Sequence, residues 1–228
     1  VSEDPRLTTP VAETPSFPRR IAQLGKRALV MELRIYESIW RFVARRPKIG
    51  VGATGFRYHR PVLTALIIFM VLSAVEIPIL DLIVHRWPPV RIGVLIIGIW
   101  GLTWMIGLFF AYLTRPHTVG PDGIRVREGL ELDIAVPWEE FASISRVDHR
   151  IDPSDPKRPK GRILDLDGER ICSIRVANET NLEILFEKPM PVRLPGLPPK
   201  GGAHTVTRLR FWADDPRGFL AEVRKQLE

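Results

Sequence analysis

The 228-residue sequence predicts a membrane protein of the α+β class. It should hold an N-terminal amphipathic helix, a two-helix transmembrane hairpin, and a C-terminal antiparallel β domain that ends in a helix. Three observations predict this. Two long apolar runs, Val62 to Val84 and Ile92 to Leu113, stand back to back. Before them an apolar helical stripe runs beside arginines repeated every seven residues. After them, strand-like alternation replaces helical periodicity until a final capped helix. The segments are a tail over 1–18, a basic arm and joint over 19–60, the hairpin over 61–114 and the β domain over 115–228.

The tail carries Pro5, Pro10, Pro15 and Pro18 among Ser, Thr and acids, a composition that predicts disorder. From Arg19 to Arg46 there is no proline, and Ile21, Leu24, Ala28, Met31, Ile35, Ile39 and Phe42 recur three or four apart. This is helical periodicity, and such a helix spans about 40 Å. Arg20, Arg27, Arg34 and Arg41 line a neighbouring face. Two arrangements fit. The helix lies in the membrane interface with its arginines on anionic head groups, or it packs on a partner helix or on the C-terminal domain. Pro47, Gly50, Gly52 and Gly55 then predict a flexible joint.

Crossing a bilayer core takes roughly 20 apolar helical residues, and both runs are long enough. Between them lies only His85-Arg86-Trp87-Pro88-Pro89-Val90-Arg91, a tight turn. A hairpin puts both flanks on one side. Arg41, Arg45, Arg46, Lys48, Arg57 and Arg60 precede it, against Arg86 and Arg91 in the turn. Positive charge concentrates on the cytoplasmic side, so both termini are expected there, on a multi-pass protein of the cell membrane. No apolar segment occurs near the N-terminus, and the first apolar helix is expected to act as its own insertion signal.

Within the runs, Glu76 is the residue that invites a functional reading. A carboxyl group in hydrocarbon is expensive and faces protein or water. A polar contact to a helix of another membrane protein subunit is the expected role, ahead of an ion relay, because two helices cannot enclose a pathway. Asp81 and His85 share a face near the outer interface. Trp100 and Trp104, at i and i+4, form an aromatic face toward lipid, partner or the hairpin itself. Glu76, Asp81, Trp100 and Trp104 are therefore the candidate partner contacts in the membrane.

Charge bounds the partners. Residues 1–60 hold 12 Lys/Arg against 5 Asp/Glu, whereas residues 116–228 hold 18 against 19. The basic excess thus lies beside the membrane, which favours anionic phospholipid over nucleic acid as its partner. The candidate head-group contacts are Arg20, Arg27, Arg34 and Arg41 in the arm, and Lys157, Arg158 and Lys160 in a basic loop of the β domain. Cys172 is the only cysteine and suits a reducing compartment as a small buried hydrophobe.

In the β domain, Gly120-Pro121-Asp122-Gly123 signals a turn. Ile124 to Glu128 and Glu131 to Val136 then alternate as a hairpin, with Arg125 and Arg127 facing Glu131 and Asp133. Pro137 to Phe141 breaks the run. Further strands are expected over 142–151, 163–166, 170–176, 182–187 and 205–212, with loops over 152–162 and 189–203. Asp214-Asp215-Pro216 predicts the N-terminus of a last helix.

Three stretches carry a family resemblance: Leu113-Thr114-Arg115-Pro116-His117-Thr118-Val119, Asp122-Gly123-Ile124-Arg125-Val126-Arg127-Glu128-Gly129, and Val136-Pro137-Trp138-Glu139-Glu140-Phe141. Placed after a membrane hairpin, they resemble the membrane-anchored bacterial pleckstrin-homology-like proteins. The resemblance covers about residues 60–228. It implies a pleckstrin-homology-like barrel capped by a C-terminal helix at the bacterial inner membrane, and a binding role rather than a reaction.

No catalytic constellation is legible. Phosphate-binding glycine loops are absent. His59, His85, His117, His149 and His204 are scattered without metal-ligand spacing. Ser143, Ser145 and Ser173 lack a nucleophile elbow. The expectation is a non-catalytic scaffold without cofactor or metal, an accessory subunit of a larger membrane complex. The alternative is a sensor of anionic lipid working through the arginine arm.

Overall fold

The computed structural model describes residues 17–156, 158–159, 161–166, 168–196 and 201–228, with side chains from Leu24 onward. The elements run α1 (Phe17–Val43), β1 (Thr54–Phe56), α2 (Arg60–Ile83), α3 (Pro88–Thr114), β2 (His117–Gly120), β3 (Gly123–Glu128), β4 (Leu132–Val136), β5 (Phe141–Arg150), β6 (Ile163–Leu166), β7 (Glu169–Ile174), β8 (Glu179–Leu194), β9 (Gly202–Phe211) and α4 (Pro216–Leu227). This is a mixed α+β protein. Two of its helices, α2 and α3, are long and apolar enough to cross a membrane.

The β domain is two sheets. One is antiparallel in the order β1-β2-β3-β4; the other has the order β5-β8-β9-β7-β6. No ladder joins them among the described residues, so the expected closed barrel is not seen. Nor is the second sheet a meander: β7 pairs with β9 in parallel, and β9 stands between β7 and β8. Alternation identifies a strand but not its neighbours. Val206, Leu209 and Phe211 of β9 are fully buried, and β9 stands at the centre of this sheet.

Two segments expected to be loops form strands. Within the joint, Thr54 to Phe56 pair with Val119 to His117, which extends the first sheet. The second loop, 189–203, is partly absorbed by β8, which runs 16 residues through Pro189 and Pro191. There β8 has left β5, whose ladder with it ends at Phe141↔Phe186. One side of β8 is then an edge, where a missing N–H costs nothing. The β3–β4 hairpin pairs Arg127 with Asp133 as expected, but Arg125 stands opposite Ala135.

Inner faces of both sheets share one core. Val119, Ile124 and Val126 come from the first sheet, Leu182, Ile184, Leu209 and Phe211 from the second, and Phe219 and Val223 from α4. The Phe219 ring lies 4.9 Å from Phe56 and 5.4 Å from Phe211, so α4 closes one end across both sheets. Its N-cap is the expected one: the Asp215 carboxylate accepts from the Gly218 amide at 2.9 Å, satisfying an otherwise orphaned helix donor. Cys172 is fully buried in this core, and burial pushes its thiol up to about 12.

The helices are tied to the β domain by buried polar groups. Arg127, only 3% exposed, donates from Nη1 to the carbonyls of Lys48 (2.6 Å) and Pro116 (3.2 Å). Its Nε stands 3.3 Å from Asp133. Tyr58, at the entry to α2, accepts from the Gly129 amide at 2.9 Å and stacks on His117 with centroids 4.5 Å apart. His117 accepts at Nδ1 from the Arg127 amide (3.0 Å), and its Nε2 meets the Trp212 carbonyl (2.9 Å). An amide only donates and a carbonyl only accepts, which fixes the neutral Nε2–H tautomer.

Candidate functional site

Glu76 lies on a groove between α2 and α3. Ser73, Ile77 and Leu80 form one wall, and Val94, Trp100 and Trp104 the other. The groove volume is about 680 Å³. The helices approach closely at Gly98, where a Cβ would stand 3.0 Å from Ile77. Gly101 meets nothing within 4 Å, so it leaves the groove open. The Glu76 carboxylate has no hydrogen-bond or ion-pair partner among the described residues. Its neighbours on the groove are apolar apart from Ser73 and the two indoles.

Asp81 is accounted for within the chain. It accepts from Arg91 Nε and Nη2 at 2.5 and 2.9 Å, a fork-to-fork pair that clamps α2 to α3 at the turn. The pairing of Arg91 with Asp81 is not among the expectations from sequence, although opposite charges on either side of Pro88-Pro89 are a readable signal. The His85 ring turns back on the Leu82 carbonyl at 2.7 Å instead of joining Asp81.

Both tryptophans also find a partner within the chain. Trp100 and Trp104 each donate from Nε1 to the Glu32 carboxylate, both at 3.0 Å. Glu32 belongs to α1, so the arm packs along α3. Ile35 seats on Gly107, where a Cβ would come within 2.2 Å of Ile35 Cγ2, and Phe42 stacks on Phe110 at 4.0 Å. Ile35, Ala111 and Leu130 form a second small core. Glu32 is 68 residues from Trp100, and no local pattern points to it.

Side chains larger than hydrogen at position 107 would therefore push α1 away. Gly107→Leu is expected to lift the arm and raise tryptic cleavage after Lys26 and Arg27 by on the order of tenfold, as overpacking costs about 1–3 kcal/mol. An unchanged cleavage rate would mean that Gly107 does not seat the arm.

The arm's arginines are engaged with protein. Arg27 donates to both oxygens of Glu131, at 2.7 and 2.5 Å. That hydrogen bond is the main cause holding the Glu131 carboxyl below its usual range. Arg34 donates to the Leu130 carbonyl at 2.8 Å, which Arg115 shares. Arg41 pairs with Glu37 one turn away at 2.6 Å. Arg158 is exposed and donates to the Pro153 carbonyl. The side chain of Arg20 lies outside the described residues, as do Lys157 and Lys160.

This docking buries one face of α1 and leaves a second apolar face bare. Leu29, Leu33, Trp40 and Val43 are 61–70% exposed, and Tyr36 stands among them. Their spacing of four, three, four and three makes one stripe, offset from the stripe read in the sequence. No protein-family model, curated protein or solved structure matches the chain.

Proposed function

We propose that this chain is a membrane-anchored interaction protein without chemistry of its own, an accessory subunit of a larger complex. In this reading α2 and α3 cross the bacterial inner membrane as a hairpin, a pleckstrin-homology-like β domain lies on the cytoplasmic side, and the arm runs from that side along α3 to reach Trp104 and Trp100. Helices of 24 and 27 residues are about 36–40 Å long, enough for a core of about 30 Å. A reporter fused after Glu228 that reads periplasmic would overturn this orientation.

The observation that carries the reading is the unpartnered Glu76 carboxylate on the α2–α3 groove. Its occupant is a transmembrane helix of another subunit that presents a hydrogen-bond donor or a cationic side chain. Such a contact offsets the cost of the acid, and Gly101 leaves room for close approach. Purification of the tagged chain in mild detergent should bring down a stoichiometric companion. Glu76→Leu is expected to cut its recovery about tenfold, the upper range for one interhelical polar contact. Glu76→Gln should retain more of it. Wild-type recovery with Glu76→Leu would sink the proposal.

A second reading has its own observation in the bare stripe of α1. An interfacial helix presents such a face to acyl chains and its basic residues to anionic head groups. A nitroxide on Leu33→Cys, in proteoliposomes with anionic lipid, should then be more accessible to oxygen than to a water-soluble nickel reagent. The reverse order would place the stripe in water or against protein.

A further inference from the structure

On the β domain's outer face, away from the shared core, lies a pocket of about 500 Å³. It sits between the five-stranded sheet and the β5–β6 connection, which contributes Pro159 and Gly161. Its polar residues come from separate elements. His149 lies near the end of β5 and Thr180 near the start of β8, and the two are directly paired across the ladder. Arg175 follows β7. Ser173 of β7 and Arg210 of β9 are paired in register, on the opposite face from Cys172 and Leu209 by alternation.

Three buried side-chain atoms of this pocket have no hydrogen-bond partner: His149 Nε2, Arg175 Nη1 and Thr180 Oγ1. Unpaired buried polar atoms are uncommon in native proteins, and each costs about 1–3 kcal/mol. Here the three residues line one cavity, and His149 and Thr180 also line a smaller pocket beside Trp212. A single water takes up about 30 Å³, far less than the space available.

The charge balance of the lining sets the sign of the ligand. Arg210 and Arg208 are both paired with Glu183. Arg150 is paired with Glu179, and Asp165 with Arg170. The Glu128 carboxylate is held by Arg162 at 2.6 Å. Arg175 is left without a carboxylate partner among the described residues; its Nη2 donates to the Gly161 carbonyl at 2.5 Å. Arginine remains protonated even where burial opposes it. Glu128 acts on both Arg162 and Arg175, so these three groups leave one positive charge in excess among the described residues, beside a hydroxyl and an imidazole able to donate.

We propose that this pocket binds a phosphate group, with Arg175 as its charge partner and Thr180 and His149 as further donors. Donors from three separate elements suit oxygens spread tetrahedrally better than the two oxygens of a planar carboxylate. The group belongs either to a soluble phosphorylated small molecule or to a phosphomonoester lipid head group. The pocket is separate from the α2–α3 groove, and either reading can fail without the other.

The test uses the full chain in nanodiscs, followed by hydrogen exchange over residues 147–151 and 173–181 and by calorimetric titration. One arm adds millimolar inorganic phosphate to phosphatidylcholine discs; the other places phosphatidic acid in the disc without free phosphate. Protection of these segments in the phosphate arm alone assigns a soluble ligand, and protection in the phosphatidic acid arm assigns a lipid head group. Arg175→Gln should weaken binding about tenfold or more, as expected for a charge-assisted hydrogen bond. The near-isosteric Thr180→Val should weaken it less. Three results overturn the proposal: no protection in either arm, protection only outside these segments, or unchanged affinity in both variants. If a variant unfolds, the wild-type protection map still decides.

Discussion

Arg127→Met is expected to destabilise the β domain by about 3–5 kcal/mol, the cost of breaking a buried charged network. The guanidinium is almost fully buried and bonds the carbonyls of Lys48 and Pro116 while facing Asp133. Methionine fills much of the volume but donates nothing. Two carbonyls then lose this donor together, and the Asp133 carboxylate keeps only Lys48, 3.7 Å away. These groups lie in the joint before α2, the link after α3, and β4. The change should therefore loosen the attachment of the helices as well as the fold. Arg125→Met, two residues along the same strand and exposed, should stay within about 0.5 kcal/mol. Denaturant midpoints of the two variants in the same detergent check the contrast. Equal shifts would mean that Arg127 is an ordinary surface arginine.

The second large effect is on pH dependence. Burial lowers the His117 pKa to about 4 in the folded protein, with the nearby Arg127 charge adding to it, against about 6.5 unfolded. Above pH 6.5 both states are neutral and the contribution is constant. Between pH 6.5 and 4 the unfolded chain takes up a proton that the folded chain refuses. Stability is therefore full above the unfolded pKa and falls as pH drops through this window, by about 3 kcal/mol in all. His59 and His149 are also shifted down, first by burial, and add to the same slope. A His117→Gln variant keeps those two and removes only the first. Its unfolding midpoint should be lower than wild type at pH 7.5 yet fall less steeply toward pH 4. Parallel curves would show that His117 does not resist protonation.

Legibility followed the range of the interaction. Glu76 stood out because one charge in an apolar run is a local anomaly, visible without knowing the neighbouring helix. The groove around it required α3, whose small and aromatic residues meet α2 only in the folded hairpin. Trp100 and Trp104 were singled out as an aromatic face, but their Glu32 acceptor lies in the arm, 68 and 72 residues away. The seven-residue arginine repeat was plain in the sequence. Its engagement was not, because Arg27 finds Glu131 across 104 residues.

The two apolar helices, the tight Pro-Pro turn between them, the β3–β4 hairpin and the start of α4 at Asp215-Pro216 are legible in residue order alone. Each depends on run length, alternation or capping, which neighbouring residues decide among themselves. The folded chain was needed to see that β9 lies between β7 and β8, that Thr54–Phe56 joins a sheet, and that Arg127 is buried while Arg125 is exposed. It alone brought Arg175, Thr180 and His149 to one pocket. Burial and pairing are settled by competition among distant segments for a shared core. A charged side chain has the same local signature whether its partner is water, the next strand or a helix a hundred residues away.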